Sequence, residues 1–234
     1  MLALASLFFV LISTMSWGRL LLYPFTLVAS WVHEMGHGLA ALCVGGGFGR
    51  LQVFLDATVL AHTAAPLGRE GLVAMAGVMA PAIVGSSIIA LSRGPTRARA
   101  VLLVLAAAMV LTSVLWVRDV TGLIMVPTVA LMGAAIALKT GADTRRIFAQ
   151  FVGLYVALDT PLRLDNALAV RVWWLDGMTT RPTDFVVLAT HWGRSRFVWS
   201  LGASVVSVLL LALGLLIAWW RSGRSEPAMS DIAG

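Results

Sequence analysis

His33 and His37 stand four residues apart, with Glu34 directly after the first, in the stretch WVHEMGHGLA. A helix turns about 100° per residue, so positions four apart differ by only about 40°. The two imidazoles therefore face the same way, one turn apart, and can hold one ion. Glu34 can then reach a water in the ion's open position, which is the H-E-x-x-H arrangement. The chemistry this points to is hydrolysis. Zinc lowers the pKa of a bound water to about 7, and the glutamate takes the proton as the water attacks a carbonyl. Zn2+ is the expected cofactor, His33 and His37 are expected to be two of its ligands, and Glu34 is the expected general base.

The setting strengthens this reading. The three residues lie inside an apolar run, and an acidic group at mid-bilayer costs about 2.5–3.5 kcal/mol on insertion scales. Groups placed at such cost are functional by default. A catalytic zinc needs a third protein ligand. The soluble metzincin pattern would put a glycine at position 40 and a histidine at position 43, where this chain has Ala40 and Cys43. Without the glycine the helix continues, and Cys43 falls about 240° round from His37, as a small core residue rather than a ligand. Asp56 and His62 follow soon after, but on a segment that would have to fold back onto the helix, which makes them weak candidates.

The elements around the motif are those of a membrane protein. Hydrophobic residues make up 59% of the 234 residues and charged residues 12%, against roughly a quarter charged in soluble domains. Several apolar runs reach the roughly 20 residues that a spanning helix needs. The net charge of +6 comes from arginines lying between those runs. That pattern reads as cytoplasmic loops rather than a nucleic-acid surface, since basic and aromatic residues do not interleave. One cysteine excludes an internal disulfide framework and a four-cysteine zinc site.

The first run covers about residues 2–16 and is interrupted by Trp17-Gly18-Arg19. It lacks a positive leader, so it is read as a retained membrane segment. The second run, about 20–44, carries the motif. Pro24 is expected in its first turn, and Gly45-Gly46-Gly47 stops it. Residues 50–64 alternate partly and read as a short hairpin or re-entrant segment. Further runs cover about 68–92, 100–117, 120–138, the short IFAQFVGLYVALDTPL ending at Asp159, and 198–220. Residues 160–198 are mixed, with no full-length span. The arginine-rich loops at 93–99, 139–146 and 221–224 are expected on one side, the cytoplasmic one. The fold class is an all-α polytopic membrane protein with about six to seven transmembrane helices. Residues 1–222 form one integral membrane domain, followed by a polar tail at 223–234.

VHEMGHGLAALCVGGGFGRLQV and AGVMAPAIVG resemble the site-2 protease class of intramembrane zinc metalloproteases, peptidase family M50, and are most similar to its M50B-like branch. FVGLYVALDTPLRLDN and RPTDFVVLATHWGRSRFVWSLGASVVS extend the resemblance across about residues 20–215. It implies two histidine ligands and a glutamate base from one helix, an aspartate ligand from a distant one, and a transmembrane segment as substrate. The class carries that aspartate in a Leu-Asp-Gly motif. Asp176 stands in such a triplet, but outside any membrane run and without the usual asparagine- and proline-rich lead-in. Asp159 is preferred, because it closes an apolar run and matches the aspartate that ends a Tyr-containing helix in the M50B-like branch. Asp184 is a further alternative.

The reading is therefore an intramembrane zinc metalloendopeptidase in a lipid bilayer, acting on a membrane-protein substrate, with no nucleic-acid partner. Its setting fits a bacterial inner membrane. A non-cleaving metal-binding scaffold of the same fold is one alternative. A small transporter with a polar path through His33, Glu34 and Asp159 is the other. Transporters are commonly built from repeats with paired broken helices, and the sequence shows no internal repeat. His191 reads as an interface residue beside Trp192, and Arg118-Asp119 as a turn.

Overall fold

The computed structural model describes residues 16–162, 171–173 and 180–220. The motif lies on α1 (Ser16–Cys43). A hairpin of β1 (Gly47–Val53) and β2 (Val59–Ala64) follows. Four helices come next: α2 (Glu70–Leu91), α3 (Pro95–Trp116), α4 (Val120–Lys139) and α5 (Ala142–Ala157). The chain continues through the short α6 (Asp159–Leu162), a second hairpin of β3 (Arg171–Trp173) and β4 (Thr180–Pro182), α7 (Asp184–Trp192) and α8 (Arg196–Trp220).

Helix α1 begins earlier than the sequence predicts. Trp17-Gly18-Arg19 does not interrupt it, and Pro24 lies inside it rather than in its first turn. One glycine costs a helix only about 1 kcal/mol, which packing of the apolar face overrides. The stop is as expected. Gly45 takes φ +81°, its N–H donates to Leu42 O, and that of Gly46 donates to Ala41 O. This 6→1 and 5→2 pairing is a Schellman cap, and it depends on a residue that tolerates the left-handed region.

The expected hairpin over residues 50–64 is present. β1 and β2 pair antiparallel from Gly47↔Ala64 to Val53↔Val59, with a register shift between Phe48 and Arg50. The first hairpin is tied to the corner between α3 and α4. Leu51 bridges Val117, and Asp119 accepts from Val53 N–H at 3.1 Å and Gly122 N–H at 2.7 Å. Arg118-Asp119 thus forms the turn that the sequence suggests, with Asp119 also capping α4.

Four helices are long and apolar enough to cross a membrane: α2, α3, α4 and α8, with α2 the most enclosed. Of the expected six to seven spans, these four are present among the described residues. The predicted first run lies almost wholly outside them. Helix α1 is not among the four because its histidines and Glu34 dilute its apolar character. Helix α5 has 16 residues, and its first turns carry Asp143, Arg145 and Arg146. The core gathers where α1, the first hairpin and α3–α5 meet, around Leu27, Trp31, Leu51, Met109, Val126 and Val156. Trp31 donates its indole N–H to Thr112 Oγ1 at 3.0 Å, so the face of α1 roughly opposite His33 is fixed against α3.

Candidate active site

His33 and His37 lie about 15 and 9 Å along the axis from the C-terminal end of α1, at 1.5 Å per residue. Their rings meet edge to face, with centroids 4.9 Å apart. The two Nε2 atoms stand 3.2 Å apart. The first residue of α7, Asp184, closes the group. Its Oδ2 is 3.0 Å from His33 Nε2 and its Oδ1 is 3.3 Å from His37 Nε2. Among the described residues these three form the one His/Cys/Asp/Glu group able to hold a metal ion.

The donor set fits zinc. Ligand atoms at about 2.0–2.1 Å around a tetrahedral ion stand roughly 3.3 Å apart, close to the separations observed here. His37 Nδ1 lies 3.0 Å from Val73 O on α2. A proton on Nδ1 donated to that carbonyl leaves the Nε2 lone pair for a ligand, the usual outer contact of a metal-bound histidine. Two imidazole nitrogens and one carboxylate make a catalytic rather than a closed structural set. The side chains of His33 and His37 are largely enclosed, while Asp184 is 27% exposed and leaves the group open on its side.

Helix α7 has nine residues, too few to cross a bilayer. Burial alone would raise the Asp184 carboxyl. In the protein alone, the His37 and His33 imidazoles against it outweigh that and hold it well below the usual carboxylate range. Thr183, in extended conformation, is the N-cap residue of α7, which places Asp184 in the first turn, where the helix dipole also favours negative charge.

Glu34 points to the hairpin side of the group. Its Oε2 accepts the backbone N–H of Ala61 on β2 at 2.7 Å. One carboxylate oxygen is thereby anchored, and its orientation is set by the strand.

The preferred third residue, Asp159, is not part of this group. It is buried at the start of α6, a short helix that packs against α2 and α8. Its neighbour Thr160 bonds Val78 O at 2.7 Å, on the same helix that supports His37. Asp176 lies outside the described residues. Asp184 was legible only as an alternative. The proline lead-in missing before Asp176 stands two residues before Asp184, as Pro182, and Thr183-Asp184 opens an apolar helix; those are the signals in the sequence.

The weaker candidates stay apart from the group. Asp56 sits in the hairpin turn and accepts from Thr58 N–H, His62 contacts Gln52, and Cys43 is an exposed free thiol. His191 bonds Gly68 O at 3.1 Å and packs on Trp192.

No curated protein and no solved structure matches the chain. A family model described as Peptidase M50B-like matches residues 2–214. That span takes in α1, the first hairpin and α7, every element that supplies the His33, Glu34, His37 and Asp184 group, and the chain belongs to the M50B-like peptidase family.

Proposed function

We propose that the protein is an intramembrane zinc metalloendopeptidase that hydrolyses a peptide bond in or near a transmembrane segment of its substrate. The observation that carries this is the convergence of His33 Nε2, His37 Nε2 and the Asp184 carboxylate, with Glu34 one residue from His33 and oriented by the hairpin.

In this reading His33, His37 and Asp184 hold the ion. Zinc there supplies Lewis acidity, polarising the scissile carbonyl and acidifying a water. Glu34 takes the proton from the attacking water and passes it to the leaving amine. Ala61 N–H restrains one Glu34 oxygen, which limits the carboxylate's freedom and leaves the other oxygen to act as base. The hairpin also offers backbone groups to an unwound substrate segment by strand addition, which suits a substrate helix that must open before water can attack. The four apolar helices support a membrane setting for this chemistry, and a bacterial inner membrane is the setting proposed.

The test is hydrolysis in 18O-labelled water. The purified chain is reconstituted with zinc and presented with a library of single-span membrane peptides, and the fragments are weighed. Wild type is expected to place one labelled oxygen in each new carboxyl terminus, as hydrolysis requires, and Glu34→Gln to give no fragments. A zinc-loaded wild type that cuts nothing favours the non-cleaving scaffold, and a chain that takes no zinc removes the reading altogether.

A further inference from the structure

Helix α2 faces His37 with backbone at two positions. The Val73 carbonyl engages His37 Nδ1. One turn later, at Gly77, an added Cβ would fall inside the His37 imidazole, and the three atoms it would meet first are Cε1, Nε2 and Cδ2 of that ring. Nε2 is the nitrogen that faces His33 and Asp184. A methyl at position 77 therefore strikes the ligating atom itself.

The ring has little room to retreat. Turning it breaks the Val73 contact, and a swing about χ leaves its rotamer well. The helices do not separate easily either, because they already touch at backbone distance. A Cβ on Gly36 would stand 2.6 Å from Ala80 Cβ and 3.0 Å from Gly77 Cα. Gly71 on the same helix abuts the His191 ring in a similar way, away from the metal group, but Gly85, Gly133 and Gly202 differ in kind. A Cβ on Gly85 would meet the backbone of Ala157 and Gly153, a helix-packing contact, while one on Gly133 or Gly202 would meet nothing within 4 Å.

We propose that Gly77 is a positioning residue of the metal centre: its missing side chain forms the hollow that seats the His37 imidazole, while the Val73 carbonyl fixes the ring's rotation. This rests on His37 being a metal ligand. Position 77 thereby selects which way the Nε2 lone pair points.

The experiment is a double-mutant cycle in detergent-purified full-length chain, read by thermal unfolding without metal and by cobalt titration. Gly77→Ala is expected to lower Tm in the wild-type background and to leave it unchanged in a His37→Ala background, where the ring is gone. Its cobalt affinity is expected to fall about 10- to 100-fold, the range seen when outer contacts of ligands are lost, with an altered d–d spectrum. Gly133→Ala is expected to match wild type in every readout. Gly85→Ala is expected to lower Tm while keeping the wild-type cobalt spectrum. Equal destabilisation by Gly77→Ala in both backgrounds overturns the proposal, as does a wild-type spectrum and affinity in Gly77→Ala. If Gly77→Ala alone does not fold, a double variant that folds as well as His37→Ala supports the hollow, and one that also fails overturns it. A wild type that binds no cobalt sinks the metal reading, an outcome the metal-free cycle keeps separate from the hollow.

Discussion

Glu34 and Asp184 are both carboxylates beside the same imidazoles, and their contacts differ as the proposed roles of base and ligand require. Asp184 turns both oxygens to the two Nε2 atoms, while Glu34 gives one oxygen to Ala61 N–H and touches neither ring by hydrogen bond. A base and a ligand respond differently to loss. Glu34→Gln is expected to keep about one zinc per chain, as a mononuclear site holds, and to lose about 10²–10⁴-fold in cleavage, the usual worth of a general base; metal analysis and a cleavage assay on one preparation check this. Asp184→Ala is expected to lose most of its zinc under the same chelation wash that leaves Asp159→Ala loaded. Retention by Asp184→Ala together with loss by Asp159→Ala would restore Asp159 as the ligand.

Among the elements, the first hairpin joins two parts of the fold. Its β1 strand is held at the corner of α3 and α4 by Asp119 and by the Leu51–Val117 bridge, and its β2 strand holds Glu34. Phe48 of β1 also stacks on Trp116 of α3, ring centroids 4.6 Å apart, and fills the space that Gly38 leaves on α1. Removing the Asp119 side chain unties both its bonds at once. Asp119→Ala is expected to destabilise the protein by about 1–2 kcal/mol, the worth of a helix cap, measured by denaturant unfolding in detergent. Zinc stoichiometry is expected to hold, since none of the three proposed ligands sits on the hairpin. A fall in zinc content without loss of stability would show that the hairpin shapes the metal group directly.

At the scale of the whole molecule, the site is a meeting of α1, α2 and α7, with the hairpin on its rim. Folding assembles it, so a metal bound there stabilises only the folded chain. Chelation by phenanthroline is expected to lower Tm and stop cleavage, and added zinc to restore both; a Tm indifferent to chelation counts against a site built by the fold. The four apolar helices make a second expectation at this scale. The chain is expected to stay in the membrane pellet after alkaline carbonate extraction, and its release into the supernatant would refute spanning.

The sequence by itself determined what local chemistry and hydropathy control. The pair of imidazoles one turn apart follows from helix periodicity, the end of α1 follows from Gly45 at φ +81°, and α2, α3, α4 and α8 lie where apolar runs of spanning length lie. The hairpin was legible from the partial alternation of residues 50–64. The start of α1 lies earlier than the sequence suggests because packing overrides a weak breaker, and four of the expected spans are present among the described residues. The partner of the two histidines was decided only by tertiary structure. Hydropathy favours Asp159, which closes an apolar run, over Asp184, which opens a helix of only nine residues. What selects Asp184 is that α7 packs on α2 and brings Asp184 to His33 across 151 residues of sequence, a contact fixed by the packing of helices and by no pattern along the chain.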